Sequence, residues 1–239
     1  MRKLLAIMFF GLFVLDAAAA DANLQKQLET KLRTVIPDAS ITRVTPGPIP
    51  GLYEVMLGAS VLYMSGDGRY VFRGDIFDLK SKDNLTGQVR EQARVAAFRA
   101  QDAFSIEFAP TGPVEHTLYV FTDIDCGYCR KMHQEVGKLN AAGIAVRYLA
   151  FPRTGLDGES FKKAVSVWCA DDQKAALTAA KLGQGLAART CKNPVATQYE
   201  LGQSVGVHGT PAVFTADGRE IGGYIPAGEL IKMFELGEI

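Results

Sequence analysis

The spacing of apolar residues along the first part of this 239-residue chain changes from a helical period to a strand period. A helical stripe ends before Pro37 and consists of Leu24, Leu28, Leu32 and either Val35 or Ile36. The period then becomes two in four short runs, which predict strands at residues 41–44, 53–57, 61–64 and 70–72. Glycines in the run Ser-Gly-Asp-Gly at residues 65–68 favour a hairpin turn. The pattern therefore predicts a helix followed by a small antiparallel sheet with a thin core.

Residues 84–103 are rich in Gln, Arg, Glu and Ala and predict a connecting helix. The apolar stripe of this helix is sparse and consists of Leu85, Val89, Ala93, Ala96 and Ala97. A stripe of mostly alanines buries little area, so we interpret the helix as a semi-rigid spacer between two domains. The alternative is that the helix packs flat against the second domain.

The second half of the chain alternates between strand and helix patterns. An apolar run at residues 118–122 predicts a buried strand, and the helical face after it contains Cys129, Met132, Val136 and Leu139. A further apolar run at residues 144–151 completes a βαβ unit, in which the two strands are parallel. The remaining patterns predict helices within residues 160–186, 195–201 and 228–236, and a hairpin of strands at 212–215 and 220–222. Phe151 and Trp168 are expected in the core.

The first 20 residues have the pattern of a secretory signal peptide. Arg2 and Lys3 precede an apolar stretch at residues 4–15, and the small residues 17–20 predict cleavage after Ala20. The apolar stretch is shorter than the roughly 20 residues that a membrane-spanning helix needs. An uncleaved membrane anchor is the alternative.

Composition limits the classes of function. Export would place the chain where disulfides persist, and its four cysteines allow two bridges, most simply Cys126 with Cys129 and Cys169 with Cys191. With 48% hydrophobic and 22% charged residues, the chain can form one or two packed domains. The formal net charge is zero and no long basic run occurs, so nothing indicates a nucleic-acid partner.

The segment Cys126-Gly127-Tyr128-Cys129 follows the strand at 118–122 and starts the helical face, and we interpret it as a redox-active dithiol. Unpaired N–H groups and the helix dipole stabilise a thiolate at a helix N-terminus, so Cys126 is the predicted nucleophile. A zinc site is one alternative, but the other two cysteines are far apart in sequence and no histidine falls at a zinc-finger spacing. An inert structural disulfide is the second alternative, although closing so short a loop adds little to the stability of the fold.

Four motifs occur in order: Phe-Thr-Asp-Ile-Asp-Cys-Gly-Tyr-Cys at 121–129, Arg-Tyr-Leu-Ala-Phe-Pro-Arg at 147–153, Trp-Cys-Ala at 168–170 and Gly-Val-His-Gly-Thr-Pro-Ala at 206–212. Together they resemble the bacterial periplasmic protein disulfide isomerases of the DsbC type, which have a thioredoxin fold. The signal peptide and the small N-terminal domain resemble that family as well, so the likeness covers essentially the whole chain. Gly127 differs from the Pro that DsbG-type relatives have there.

The resemblance implies an α+β fold, with a thioredoxin-like catalytic domain that carries a helical insertion. A small α+β, cystatin-like dimerisation domain and a linker helix are expected to precede it. The implied ranges are 1–20 for the signal peptide, 21–83 for the dimerisation domain, 84–103 for the linker helix and 104–239 for the catalytic domain. Family members are V-shaped homodimers with a hydrophobic cleft, which implies chaperone activity. The implied partners are misoxidised periplasmic proteins and an inner-membrane reductant of the DsbD type, with no cofactor and no metal.

The two cysteines of the dithiol and two aspartates beside them receive expected roles. Cys126 attacks a wrong disulfide, and Cys129 resolves the mixed disulfide when the substrate cannot rearrange. Asp123 is a candidate buried acid that relays a proton to or from Cys129, with a turn or cap role as the alternative. Asp125 departs from the family, whose members often have Thr there. Its charge opposes thiolate formation at Cys126, while a carboxylate at an N-cap position stabilises the helix.

Other site residues are implied by the resemblance. The Thr210-Pro211 bond is expected to be cis and to lie against the sulfur pair, and Tyr128 is expected to give apolar surface at the rim. Cys169 and Cys191 are expected to form a structural disulfide, with a second redox centre as the alternative.

Three functions remain as hypotheses. The favoured one is a dimeric disulfide isomerase that is kept reduced. The second is a general periplasmic thiol reductase or oxidant with the same fold. The third is a non-catalytic chaperone, which could coexist with the first.

Overall fold

The computed structural model describes residues 10–239, with side chains from Asp21 onward. The chain divides into two compact units, the first ending at Val89 and the second running from Arg90 to Ile239. Residues 1–9 of the predicted signal peptide lie outside the described residues, and cleavage after Ala20 stays a prediction. Within the described part of the chain, no helix is both long enough and apolar enough to cross a bilayer.

The first unit contains one long helix and a four-stranded antiparallel sheet. Its first elements are α1 (Phe10–Val35), β1 (Ile41–Pro46), β2 (Leu52–Leu57), β3 (Ser60–Ser65) and β4 (Val71–Phe72), and the sheet order is β1-β2-β3-β4. The four predicted strands are therefore confirmed. Leu28 and Leu32 are buried in a small core, as the helical stripe predicts. The prediction was wrong for Val35, which is exposed because the helix ends there and the chain turns.

A short hairpin between the sheet and the next helix was not predicted. It consists of β5 (Phe77–Asp78) and β6 (Asp83–Asn84), and Lys82 in its turn has a φ of 66°. Two-residue strands are too short to show an alternating pattern, which is why the sequence gave no signal for them. Helix α2 (Leu85–Arg99) starts directly after this hairpin.

The second unit is built on a five-stranded mixed sheet. After α2, its elements are β7 (Ile106–Phe108), β8 (His116–Thr122), α3 (Gly127–Gln134), α4 (Val136–Ala141), β9 (Ile144–Ala150), α5 (Glu159–Trp168), α6 (Gln173–Lys181), α7 (Val195–Ser204), β10 (Ala212–Thr215), β11 (Glu220–Gly222) and α8 (Ala227–Glu235). The sheet order is β11-β10-β8-β9-β7. Strands β8 and β9 are parallel over seven residue pairs, which confirms the βαβ unit. Strand β7 was missed because three residues carry too little pattern.

The C-terminal half of α2 packs into the second unit. Phe98 is fully buried and stacks on Tyr119 with ring centroids 4.9 Å apart. The Arg94 guanidinium is also buried and donates to the Val205 carbonyl at 2.9 Å and to Glu220 at 3.1 Å. Residues 90–99 therefore pack against the second domain, which was the alternative to a semi-rigid spacer. The alanine stripe gave no hint of this, because the anchoring side chains are an aromatic and an arginine outside it.

The predicted helix after β8 is interrupted at Glu135. Its ψ is 0°, so α3 ends before it and α4 starts after it. The Glu135 carboxylate accepts hydrogen bonds from the Tyr224 hydroxyl at 2.8 Å and the Ala227 N–H at 3.3 Å. This residue therefore ties the helix pair to the start of α8, and the buried face of Cys129, Met132 and Leu139 still forms across the break.

The predicted helical segment at residues 160–186 is two helices, α5 and α6. Asp172 separates them, since its side chain accepts from the Ala175 N–H at 2.9 Å and caps α6. A disulfide joins Cys169, directly after α5, to Cys191, before α7. Phe151 and Trp168 are both buried, as predicted.

Candidate active site

Cys126 is the N-cap residue of α3, directly beyond the end of β8. Its sulfur accepts a hydrogen bond from the Cys129 N–H at 3.4 Å, and both cysteines are free thiols. The helix start and the dithiol therefore coincide, as the sequence predicts. Only 3% of Cys126 is exposed, whereas Gly127 and Tyr128 beside it are exposed.

Asp125 does not cap α3, because the cap position belongs to Cys126. Its carboxylate instead forms ion pairs with Lys163 at 2.8 Å and with Arg130 at 3.4 Å. Two cations at the carboxylate offset the repulsion that Asp125 would otherwise exert on a neighbouring thiolate. The expected capping role was therefore wrong, and the departure from the family is compensated by charge.

The environment of Cys126 favours its thiolate. The hydrogen bond from the Cys129 thiol is the largest of the influences that lower the pKa of Cys126 to about 5. Burial opposes this shift, while the Thr210 hydroxyl, the Cys129 N–H and the charge of Arg153 lower the pKa further. Cys126 is therefore a thiolate at neutral pH, the state in which a cysteine is a nucleophile.

Thr210 meets the Cys126 sulfur from the loop before β10. When Cys126 is protonated, its thiol donates to the Thr210 carbonyl, with 3.1 Å between sulfur and oxygen. The Thr210 hydroxyl is buried and makes no hydrogen bond among the described residues, and its side chain lowers the pKa of Cys126. The Thr210-Pro211 bond is cis, as the resemblance implies. The loop therefore lies against the nucleophile, where sequence spacing alone could not place it.

The surroundings of Cys129 favour its protonated thiol, whereas those of Cys126 favour the thiolate. Cys129 is 1% exposed, and burial, followed by the neighbouring Cys126 sulfur, raises its pKa. The charge of Lys181 and the hydroxyl of Thr122 act in the other direction. The two sulfurs are thus separated into an ionised nucleophile and a protonated partner.

Asp123 anchors the loop beyond β8. Its carboxylate accepts from the Asp125 N–H and the Ser160 hydroxyl at 2.7 Å each, and from the Arg153 N–H at 2.8 Å and Nε at 3.2 Å. Burial alone would raise the pKa of Asp123, but these hydrogen bonds outweigh it and hold the pKa below its usual value. These four hydrogen bonds hold the turn beyond β8 in place, which supports the alternative turn role.

The rim of the site is aromatic, as expected for Tyr128. This side chain is 64% exposed and stacks on Tyr224 with ring centroids 6.0 Å apart. The Lys131 ammonium lies 4.9 Å from the centre of the Tyr224 ring on the same surface. The exposed rings offer an apolar contact beside the nucleophile.

Sequence reasoning missed two cations of the site. Arg153 binds Asp123 and lowers the pKa of Cys126, and Lys181 is buried behind the dithiol. The signal for Lys181 was its spacing, since it lies four residues after the buried Leu177 on the apolar face of α6. Arg153 ends the motif at residues 147–153, but the sequence gave no sign of its contact with Asp123, which is thirty residues away.

Among the described side chains, no group of three or more His, Cys, Asp or Glu residues is arranged to hold a metal ion.

His133 is buried near the dithiol and lies between the Tyr148 hydroxyl at 3.1 Å and the Thr178 hydroxyl at 3.0 Å. Burial and then the charge of Lys181 lower the pKa of His133 to about 4, so this ring is neutral at neutral pH.

Alkylation of Cys126 is expected to be half-maximal near pH 5, because the thiolate is the reactive form and its pKa is lowered to about 5. The rate of labelling by iodoacetamide between pH 3 and 9, with the labelled site read by mass spectrometry, measures this midpoint. In Cys129→Ala the pH midpoint of Cys126 labelling should rise, because the Cys129 side chain is the largest influence that lowers the pKa of Cys126. A midpoint near the ordinary thiol value of ~8.5 in the unaltered protein would contradict the assignment.

A parallel βαβ unit, a dithiol at a helix N-terminus and a facing cis-proline loop define a thioredoxin-like thiol:disulfide oxidoreductase. Residues 81–238 match the family model of a thioredoxin-like domain, and residues 15–87 match that of the disulfide bond isomerase protein N-terminal domain. The chain belongs to the DsbC family of thiol:disulfide interchange proteins.

Three relatives illustrate the extent of the match, and each is named thiol:disulfide interchange protein DsbC. The protein of Dickeya dadantii is 37% identical over 194 residues, 80% of this chain and 79% of the relative. That of Escherichia coli K12 is 36% identical over 233 residues, 95% of this chain and 94% of the relative. That of Haemophilus influenzae is 32% identical over 221 residues, 92% of each chain.

Proposed function

We propose that this protein is a periplasmic disulfide isomerase in which the Cys126 thiolate attacks non-native disulfides of exported proteins. The observation that supports this most directly is the contrast between the two sulfurs, one with a lowered and one with a raised pKa. An isomerase needs a nucleophile that is ionised at neutral pH and a second thiol that does not displace every substrate at once.

The reaction proceeds by thiol–disulfide exchange. Cys126 Sγ forms a bond to one sulfur of the substrate disulfide, and the other substrate sulfur leaves as a thiolate. A substrate thiolate then attacks the mixed disulfide, restores the Cys126 thiolate and leaves a new pairing. If rearrangement stalls, Cys129 attacks Cys126 Sγ, the substrate leaves reduced, and an external reductant must reduce the Cys126–Cys129 disulfide. We propose a DsbD-type inner-membrane protein as that reductant.

Refolding of a protein with scrambled disulfides tests the isomerase against the oxidoreductase alternatives. The reduced protein is expected to restore the activity of scrambled ribonuclease, in which every cysteine is already paired and no net oxidation or reduction is needed. Trapping thiols in cells by alkylation should show Cys126 and Cys129 reduced. A pair found oxidised in cells, with no recovery of the scrambled substrate, would instead indicate a general oxidant.

We also propose that the chain acts as a homodimer joined through its first unit. The sheet of that unit ends at β4, whose Val71 and Phe72 are about half exposed, as is the adjacent Tyr70. An edge strand with apolar side chains can pair with a second copy, and a core this small gains stability from doing so. A cleft between two chains would allow chaperone activity, which should then survive the loss of both active-site sulfurs.

The molar mass in solution tests the dimer. The exported form without the signal peptide is expected to have twice the mass of one chain by light scattering, and Phe72→Lys should shift it toward the monomer because a charge is placed on the edge strand. Leu236→Lys, at an exposed apolar position of the second unit, is the matched control and should leave the mass unchanged. A monomeric unaltered protein would refute the dimer.

A further inference from the structure

Lys181 is a buried ammonium that the isomerase mechanism above does not use. It is the last residue of α6 and is 3% exposed. Its Nζ donates to the Thr122 hydroxyl at 2.5 Å and to the Asp123 carbonyl at 3.0 Å. Both acceptors are neutral, so no carboxylate bonded to Nζ compensates the buried charge. A buried lysine without a bonded counter-charge is costly, which raises the question of what balances it.

The groups that can balance Lys181 are the two sulfurs of the dithiol. Cys129, followed by Cys126 and Asp123, favours the charged form of Lys181, whereas burial disfavours it and lowers the pKa of Lys181 to about 8. The link to Cys129 runs through Thr122, since the hydroxyl that accepts from Nζ also lowers the pKa of Cys129. Lys181, Thr122 and Cys129 thus form one buried chain of polar groups.

We propose that Lys181 exchanges a proton with Cys129 through the Thr122 hydroxyl and serves as the counter-charge of the Cys129 thiolate during resolution of the mixed disulfide. Lys181 acts through Thr122 and is therefore a positioning residue. The proposal extends the function given above and rests on its assignment of Cys129 as the resolving thiol.

The state of Cys126 controls this exchange. In the free enzyme the Cys126 thiolate supplies a negative charge near Lys181, and Cys129 stays protonated. Once Cys126 is in a mixed disulfide, that charge is gone, and only the Asp123 carboxylate, which is already bonded to Arg153 and Ser160, still favours the ammonium. Lys181 then either loses its proton or gains a new anion nearby. Ionisation of Cys129 supplies the anion, so formation of the mixed disulfide itself prepares the resolving thiol.

Lys181 first releases its proton to solvent as the charge of Cys126 disappears. The neutral amine then takes a proton from the Thr122 hydroxyl, which takes the Cys129 proton, and the products are an ammonium and the Cys129 thiolate. That thiolate attacks Cys126 Sγ, the bond between Cys126 and the substrate sulfur breaks, and the substrate leaves as a thiolate. The Cys126–Cys129 disulfide is neutral, so the proton on Lys181 is released to solvent.

The remaining groups around Lys181 do not compete for this role. On α3, Arg130 is a like charge that lowers the pKa of Lys181, and His133 is neutral at neutral pH. On β9, the Tyr148 ring lies 5.9 Å from Nζ, and burial raises the pKa of its hydroxyl, so it stays protonated. Asp123 stays ionised and is occupied by Arg153 and Ser160. Cys129 is therefore the acid that exchanges with Lys181.

Titration of Cys129 in Cys126→Ala tests the proposal in the full chain. Alanine mimics the uncharged sulfur of the mixed disulfide and leaves Cys129 as the one free thiol, since Cys169 and Cys191 are bonded. Thiolate absorbance near 240 nm is followed against pH. Adding Lys181→Met, which keeps the length of the side chain without its charge, should raise the pKa of Cys129 by at least about one unit, or about tenfold less thiolate.

Two further variants make the result specific. Thr122→Val keeps Lys181 and removes the hydroxyl, and it should also raise the pKa of Cys129; it carries the test if Lys181→Met fails to fold. Lys174→Met makes the same substitution at an exposed position of the same helix and should leave the titration unchanged. Superimposed titration curves with and without Lys181 would overturn the proposal. The titration needs no isomerase activity, so its outcome is separate from that of the refolding test.

The resolution rate gives an independent readout. The protein carrying glutathione on Cys126 is mixed with buffer between pH 6 and 9, and the release of glutathione is followed. Lys181→Met should slow release about tenfold at neutral pH and move its pH midpoint upward. An unchanged pH profile would contradict the proposed exchange, because a purely structural role of Lys181 would not depend on pH.

Discussion

Cys126→Ala is expected to reduce both isomerase and reductase activity to the uncatalysed rate. No other thiol can replace the nucleophile, since burial raises the pKa of Cys129 and Cys169 is bonded to Cys191. The measurement is the recovery of scrambled ribonuclease and, separately, the reduction of insulin with a thiol donor. Unaltered recovery by this variant would end the proposal that Cys126 carries the reaction.

Cys129→Ala is the matched control, because it removes the second sulfur and leaves the first. The initial attack should persist, and isomerisation should continue for substrates that rearrange without help. Mixed disulfides with stalled substrates should accumulate and appear on non-reducing gels, because the escape reaction is lost. If both variants lost activity equally and neither trapped a substrate, the separation of roles between the two sulfurs would be wrong.

Asp123→Ala is expected to lower the free energy of unfolding by about 2 kcal/mol, because buried hydrogen-bond donors lose their acceptor, whereas the half-exposed Arg153 side chain can be solvated. The substitution leaves the Ser160 hydroxyl and two N–H groups without their acceptor. Urea unfolding of the second unit, followed by the fluorescence of Trp168, measures the change. Asp171→Ala is the control, since its carboxylate is 91% exposed in its pair with Arg189 and should contribute less than about 1 kcal/mol.

The same carboxylate predicts a pH dependence of stability. The pKa of Asp123 is lower in the folded state than its usual value of ~3.9. Its contribution to stability is therefore fully present above pH ~3.9 and is lost as the pH falls through the lower folded value. Asp123→Ala should show a smaller loss of stability in acid than the unaltered protein. Equal acid sensitivity in both proteins would contradict the anchoring role.

Much of the fold could be predicted because the longer elements have clear periods. The four strands of the first unit, the parallel pair β8 and β9, and the final hairpin and helix all follow the apolar pattern. The elements and contacts that were missed lie where the sequence has no periodic pattern. The short strands β5, β6 and β7 contain two or three residues, and the packing of α2 depends on Phe98 and Arg94 rather than on its stripe. Periodicity carries no information about single anchoring contacts.

The site could be predicted only in part, because the sequence displays local relations but not contacts between distant residues. Cys126 and Cys129 are adjacent on a helix turn, so their relation is a local property that the sequence displays. Thr210 is 84 residues from Cys126, and the sequence alone did not place it there without the family resemblance. For Asp123 the sequence left a proton relay and a turn role open, because two of its partners, Arg153 and Ser160, are distant in sequence.

The sequence by itself determined the order of elements, the position of the dithiol at the start of a helix and the family to which the chain belongs. Only the tertiary structure decided which groups separate the pKa values of the two sulfurs, what holds Asp123 and that Lys181 is buried behind Cys129. The physical reason is the range of the interactions. Helix and strand formation depends on neighbours along the chain, whereas proton affinity depends on burial and on charges that folding brings together.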